Sequence, residues 1–104
     1  MNDLIAFLAA RLDEDEAVAR RAAGGSPRET NLGIALFIGR FNPARVLREV
    51  EADRRLLAEW QKAETDPAID DQWNAGLAAG LRMAVQIRAA RHSDHPDYRQ
   101  EWAP

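Results

Sequence analysis

Three long stretches of this chain carry apolar residues at every third or fourth position, and each is bounded by glycine, proline or capping residues, a pattern that α-helices bury on one side. The first runs from Asn2, with Leu4, Leu8 and Leu12 in one row and Ile5, Phe7, Val18 and Ala22 alongside, an amphipathic helix of about five turns. Gly24-Gly25-Ser26-Pro27 ends it. The second opens at Asn42-Pro43, a capping side chain followed by proline in the first turn, and extends to about Glu64. Val46, Leu47, Val50, Leu57 and Trp60 fall on one side of it, with Arg45, Glu49, Glu51, Arg55 and Glu59 around the rest. Thr65-Asp66-Pro67 breaks that helix and offers the cap for a third, from near Ile69 to near Arg91. Along it Trp73, Leu77, Leu81 and Val85 make a continuous row, with Met83 and Ile87 at the edges. Leu32 to Phe41 is apolar and glycine-punctuated. A lone strand there would leave its backbone donors and acceptors unpaired, so a short helix is expected.

The last eleven residues, Asp94 to Pro104, hold a Tyr, a Trp and two prolines, and an aromatic pair of that kind needs something to pack on. Asp94 is suited to accept hydrogen bonds from freed backbone N–H groups and Pro96 to open a short helical turn. Tyr98 and Trp102, four apart, share one face of that turn, and with His95 they are expected to clasp the C-terminus against the first or second helix. Ala75, Gly76, Ala79 and Gly80 place small residues at helical spacing, where two helix axes can approach closely. Each glycine costs about 1 kcal/mol relative to alanine in a helix interior, so close packing is the natural compensation. Trp73, Gly76 and Gly80 are therefore a candidate helix–helix interface, either between two copies or between two helices of one chain.

With 104 residues the expectation is one domain, residues 1–104, large enough to bury about two-thirds of the surface its unfolded form exposes. The fold class is all-α: a compact bundle of three long helices plus one short helix, with a short C-terminal capping turn. There is no cysteine, hence no disulfide framework and no thiolate metal site, which fits a reducing cytoplasm. No basic segment precedes the first apolar residues, and the weakly polar run Ala75 to Ile87, interrupted by Arg82, is far shorter than the roughly 20 residues a bilayer needs. A soluble, cytoplasmic protein with no membrane partner is expected. The net charge of −3 argues against unspecific nucleic-acid affinity as the main activity. Of the 14 basic residues only Lys62 is lysine, and alanine fills 20 positions, biases that a GC-rich genome produces through its codons.

Two constellations could carry chemistry. His92 and His95 with Asp94 and Asp97 mix imidazole and carboxylate, but a divalent ion wants three or more ligands held by further partners, and no third is fixed nearby in sequence. Asp13, Glu14, Asp15 and Glu16, with Glu49, Glu51 and Asp53 on the next helix, are the kind of set in which small all-α nucleotide pyrophosphohydrolases hold magnesium. Only Asp13 and Glu16 have the three-residue spacing such a site uses; Glu49 and Asp53 are four apart, with Arg54 and Arg55 read as their surface partners. Arg45, Arg48, Arg54 and Arg55 could form a basic strip, which Glu49, Glu51 and Asp53 interrupt. No phosphate-cradling glycine loop, Gly-x-Ser-x-Gly elbow or cysteine nucleophile occurs. No catalytic, cofactor-binding or metal-binding residue is assigned, and no cofactor is expected.

Three blocks of the chain resemble a family of small proteins from actinobacteria and their phages classed only as a domain of unknown function. They are Asp3 to Leu8 running into Ala10-Arg11-Leu12-Asp13-Glu14-Asp15-Glu16, then Asn42-Pro43-Ala44-Arg45-Val46-Leu47-Arg48-Glu49-Val50-Glu51-Ala52, and Asp94-His95-Pro96-Asp97-Tyr98-Arg99 with Glu101-Trp102. Family members often look like His-x-x-Arg-His-Asp-Pro where this chain reads Phe37-Ile38-Gly39-Arg40-Phe41-Asn42-Pro43. Phenylalanine at both histidine positions fits packing and does not fit ligation. The resemblance implies a cytoplasmic, often phage-encoded setting and no mechanism. The expected function is that of a small non-enzymatic protein-binding accessory or regulatory protein, probing a host partner or a second copy, with a homodimer through the Gly76/Gly80 face as the preferred assembly. The alternatives are a metal-dependent nucleotide pyrophosphohydrolase-like enzyme and a nucleic-acid-binding protein.

Overall fold

The computed structural model describes residues 2–23, 42–67 and 71–104. Three helices carry the architecture: α1 (Asn2–Ala23), α2 (Pro43–Glu64) and α3 (Gln72–Ala89), followed by 3-10 turns at Ala90–His92 and Gln100–Trp102. No strand occurs among the described residues. The short helix expected over Leu32 to Phe41 lies outside them.

The helix boundaries follow local chemistry. Asn42 caps α2, its Oδ1 accepting from the Arg45 N–H at 2.8 Å, and Pro43 sits where a missing N–H costs nothing. At the other end the Thr65 hydroxyl donates to the Gln61 carbonyl at 3.0 Å and takes up one of the helix's orphan acceptors. The cap of α3 is Asp71, whose Oδ1 accepts from the Trp73 N–H at 2.8 Å. Thr65-Asp66 does not serve α3, because Asp71 stands one residue before its first turn and offers the same chemistry closer.

Helix α2 lies between the other two and packs on both. Leu4, Phe7, Leu8 and Leu12 of α1 meet Val50, Leu57 and Trp60 of α2, Val85 and Ala89 of α3, and Trp102 of the tail in one core. Each such side chain contributes about 1.5–3 kcal/mol by leaving water. Asp53 pairs with Arg88 and Arg91, while Leu77 and Leu81 line a hollow with Glu59, Lys62, Ala63 and Asp66, so α3 runs antiparallel to α2.

Helix α3 buries only the second half of the row its sequence suggests. Ala78, Val85 and Ala89 point inward, with Leu81 partly buried, whereas Trp73 is 79% exposed and Leu77, Met83 and Ile87 are also exposed. The reason is geometric: an i,i+4 row drifts by roughly 40° at each step, so Trp73 and Val85, three steps apart, stand on different faces. Val18 of α1 is exposed as well.

Candidate functional site

The C-terminal tail runs back along α1. Arg11 meets His95, Phe7 meets Tyr98 and Trp102, and Asp3 meets Arg99 through an Nη1–Oδ2 contact of 2.8 Å. Phe7 is the anchor: its ring centroid is 5.1 Å from Trp102 and 5.8 Å from Tyr98, and those two rings stand edge to face at 5.7 Å. Such pairs add about 0.5–1.5 kcal/mol beyond their burial. The helical turn in the tail begins at Gln100 and not at Pro96, and the capping expected of Asp94 falls to His95, whose Nδ1 accepts from the Asp97 N–H at 3.0 Å. Asp94 and Pro96 are exposed, and Pro96 lines a hollow with Phe7, Ala10 and Arg11 of α1.

Arg11 is 8% exposed and was not singled out by sequence reasoning. Its Nη2 donates to Glu14 at 2.9 Å, its Nη1 lies 2.7 Å from His95 Nδ1, and its guanidinium stacks over Phe7 at 5.2 Å. A guanidinium against the His95 ring opposes a cation there. Among the described residues no three of His, Cys, Asp or Glu converge as a metal site. Beside these groups, His92 packs edge-on to Phe7, and its Nε2 is buried without a hydrogen-bond partner among the described residues.

Burial pushes the His92 imidazole below its ordinary range; Arg91 and Arg11 add to that shift, and Asp15 and Asp94 oppose it. The unfolded chain therefore binds this proton more readily than the native one, so stability present above about pH 6.5 is lost as pH falls through the depressed native value. Thermal melts between about pH 7.5 and pH 5.5 are expected to show that decline, and His92→Leu to make it shallower. An unchanged slope in the variant would remove the assignment.

Asp13, Glu14 and Glu16 of α1 face arginines. Arg54 reaches across from α2, donating from Nη2 to Asp13 Oδ1 at 2.7 Å and pairing with Glu16 through Nη1. These contacts, Arg54 first and Arg20 second, hold the Glu16 carboxyl below the usual carboxylate range. Glu49 pairs with Arg45 at 3.2 Å. Asp53 turns inward, 3% exposed, onto Arg91 Nη2 at 2.6 Å and Arg88 Nε at 3.3 Å. The sequence reading of Arg54 and Arg55 as partners of Glu49 and Asp53 is thus corrected: Arg54 serves α1, and Asp53 is held by Arg88 of α3 and Arg91 of the 3-10 turn after it. Arg48, Arg54 and Arg55 line a shallow hollow of about 740 Å³ with Glu51 and Ala52.

The remaining surface of note is the outer face of α3. At roughly 100° per residue, Trp73, Gly76, Leu77, Gly80, Met83 and Ile87 fall within an arc of roughly 120°. Arg82 and Arg88, the only charged residues of α3, lie outside it. A hollow of about 570 Å³ opens along Gln72, Trp73, Gly76 and Leu77. A Cβ added at Gly76 or Gly80 would meet nothing within 4 Å, so among the described residues these glycines do not admit another helix of the same chain.

The fold and these surfaces define an all-α protein with a closed aromatic C-terminal clasp, an internal carboxylate–arginine latch and one uncharged helix face turned outward. The chain belongs to the family described as Family of unknown function (DUF6221), which matches it over residues 1–104. No curated protein and no solved structure matches it. No helix among the described residues is long and apolar enough to cross a membrane.

Proposed function

We propose that the chain is a non-enzymatic protein-binding accessory or regulatory protein that works through the outer face of α3, in the phage- or mobile-element-encoded, actinobacterial and cytoplasmic setting the resemblance implies. The supporting observation is the exposure of Trp73, Leu77, Met83 and Ile87 in one uncharged stripe beside two unoccupied glycines. A contiguous apolar strip of this kind is characteristic of protein interaction surfaces, and tryptophan is enriched where binding energy concentrates. Asp13, Glu14, Glu16, Glu49 and Asp53 of the hydrolase alternative are engaged by arginines, and the basic strip of the nucleic-acid alternative is divided by the Arg45–Glu49 and Arg54–Glu16 pairs.

Met83→Glu tests this reading. The side chain is half exposed, so the monomer tolerates the change, whereas an interface would have to desolvate an unpaired carboxylate. The wild-type chain is expected to self-associate at high micromolar concentration in light scattering, or to capture a host protein, and the variant to lose either by at least about tenfold. Indistinguishable behaviour of the two chains in both measurements would overturn it.

A further inference from the structure

We propose that the occupant of the α3 outer face is a second copy of this chain, bound antiparallel about a two-fold axis at the level of Ala78, an inference that rests on the α3 reading above. Four of the six positions of the stripe pair off about that level, while Leu77 and Ile87 stand outside the pairing. Gly76 and Gly80 stand two residues to either side, and Trp73 and Met83 stand five. In a two-fold contact residue i meets j and j meets i, so each Gly76 opposes Gly80 of the second copy, and each Trp73 covers Met83. Paired glycines let the two axes approach closely, and the thioether meets an indole ring, a favoured sulfur–aromatic contact.

The helix dipole separates this arrangement from the parallel one. A parallel pair would align the two α3 dipoles side by side, whereas the antiparallel pair opposes them. Arg82 and Arg88 lie outside the contact arc, and Arg88 is engaged by Asp53, so no charged side chain of α3 enters the contact. The four large side chains and the small residues between them offer about 600 Å² per copy, about 1,200 Å² in all, which is the lower bound for a specific interface. A contact at that bound is expected to be weak, so the dimer is sought at several hundred micromolar and is expected to dissociate on dilution.

The absence of cysteine makes the orientation directly measurable. Gly76→Cys and Gly80→Cys each add a side chain where nothing stands within 4 Å, so both variants fold as the wild type does. A disulfide needs Cα atoms about 4.4–6.8 Å apart. In the antiparallel pair, 76 faces 80 across the axis, whereas 76 to 76 and 80 to 80 are offset by a further 6 Å or so along it. Mixing the two variants, one of them tagged, under mild oxidation is expected to give the mixed disulfide at least about tenfold faster than either variant alone gives its own. Self-linking of each variant as fast as the mixture would establish a parallel pair and overturn the proposal. So would a wild-type chain that stays monomeric at several hundred micromolar; if Met83→Glu then still loses a captured host protein, the α3 reading stands while the second copy is excluded.

Discussion

Replacing Trp60 by alanine is expected to lower stability by about 3–5 kcal/mol, a large share of the roughly 5–15 kcal/mol that a domain of this size holds. The indole is fully buried in the common core of all three helices, and its Nε1 donates to Glu64 Oε1 at 2.9 Å. Alanine removes the packing, leaves a cavity between helices that cannot all collapse toward it, and returns the Glu64 carboxylate to solvent. Trp73→Ala supplies the contrast within the same protein. That ring is mostly exposed, so the isolated monomer should lose no more than about 0.5 kcal/mol. Urea unfolding followed by circular dichroism at low protein concentration reads both. A loss below about 1 kcal/mol for Trp60→Ala would mean that the core is not organised around this ring.

The difference between these two tryptophans is also where the sequence stops being legible. Helix α2 could be read from Asn42 to Glu64 because its cap, its proline and its apolar side all agree, and the structure keeps each of them. Helix α3 is less transparent. Alanine and glycine carry too little hydrophobic contrast to mark an inner face, so the large residues set the expectation, and of these Trp73, Leu77, Met83 and Ile87 point outward while Val85 is buried beside Ala78 and Ala89. The tail aromatics were legible as a pair that must pack, since Tyr98 and Trp102 have no other use for their surface in a turn. Their anchor on Phe7 and the buried guanidinium of Arg11 were not, because they depend on a contact across most of the chain, Arg11 to His95. Asp53 gave a signal that could have been followed: it sits three residues after Val50 and four before Leu57, on the buried row of α2. A carboxylate in such a row calls for cations from a neighbouring element, and Arg88 and Arg91, three apart near the end of α3, are the pair one helical turn delivers together.

That latch has an asymmetric energetics. Removing Arg88 and Arg91 together leaves the Asp53 carboxylate buried with neither of its guanidinium partners, and the double variant Arg88→Ala with Arg91→Ala is expected to lose about 3–5 kcal/mol. Asp53→Leu goes the other way. The two arginines are about half exposed, so their heads turn into water while their stems stay on the helix, and an apolar side chain joins Val50 and Leu57 in the core. Its cost should stay within about 1 kcal/mol of wild type, since a buried ion pair is often replaceable by packing. The triple variant then decides the point. If the damage in the arginine double variant is the stranded carboxylate, adding Asp53→Leu restores most of what was lost, a coupling of about 2–4 kcal/mol in a double-mutant cycle. If instead the arginine stems supply the stability through their own packing, the triple variant remains as weak as the double.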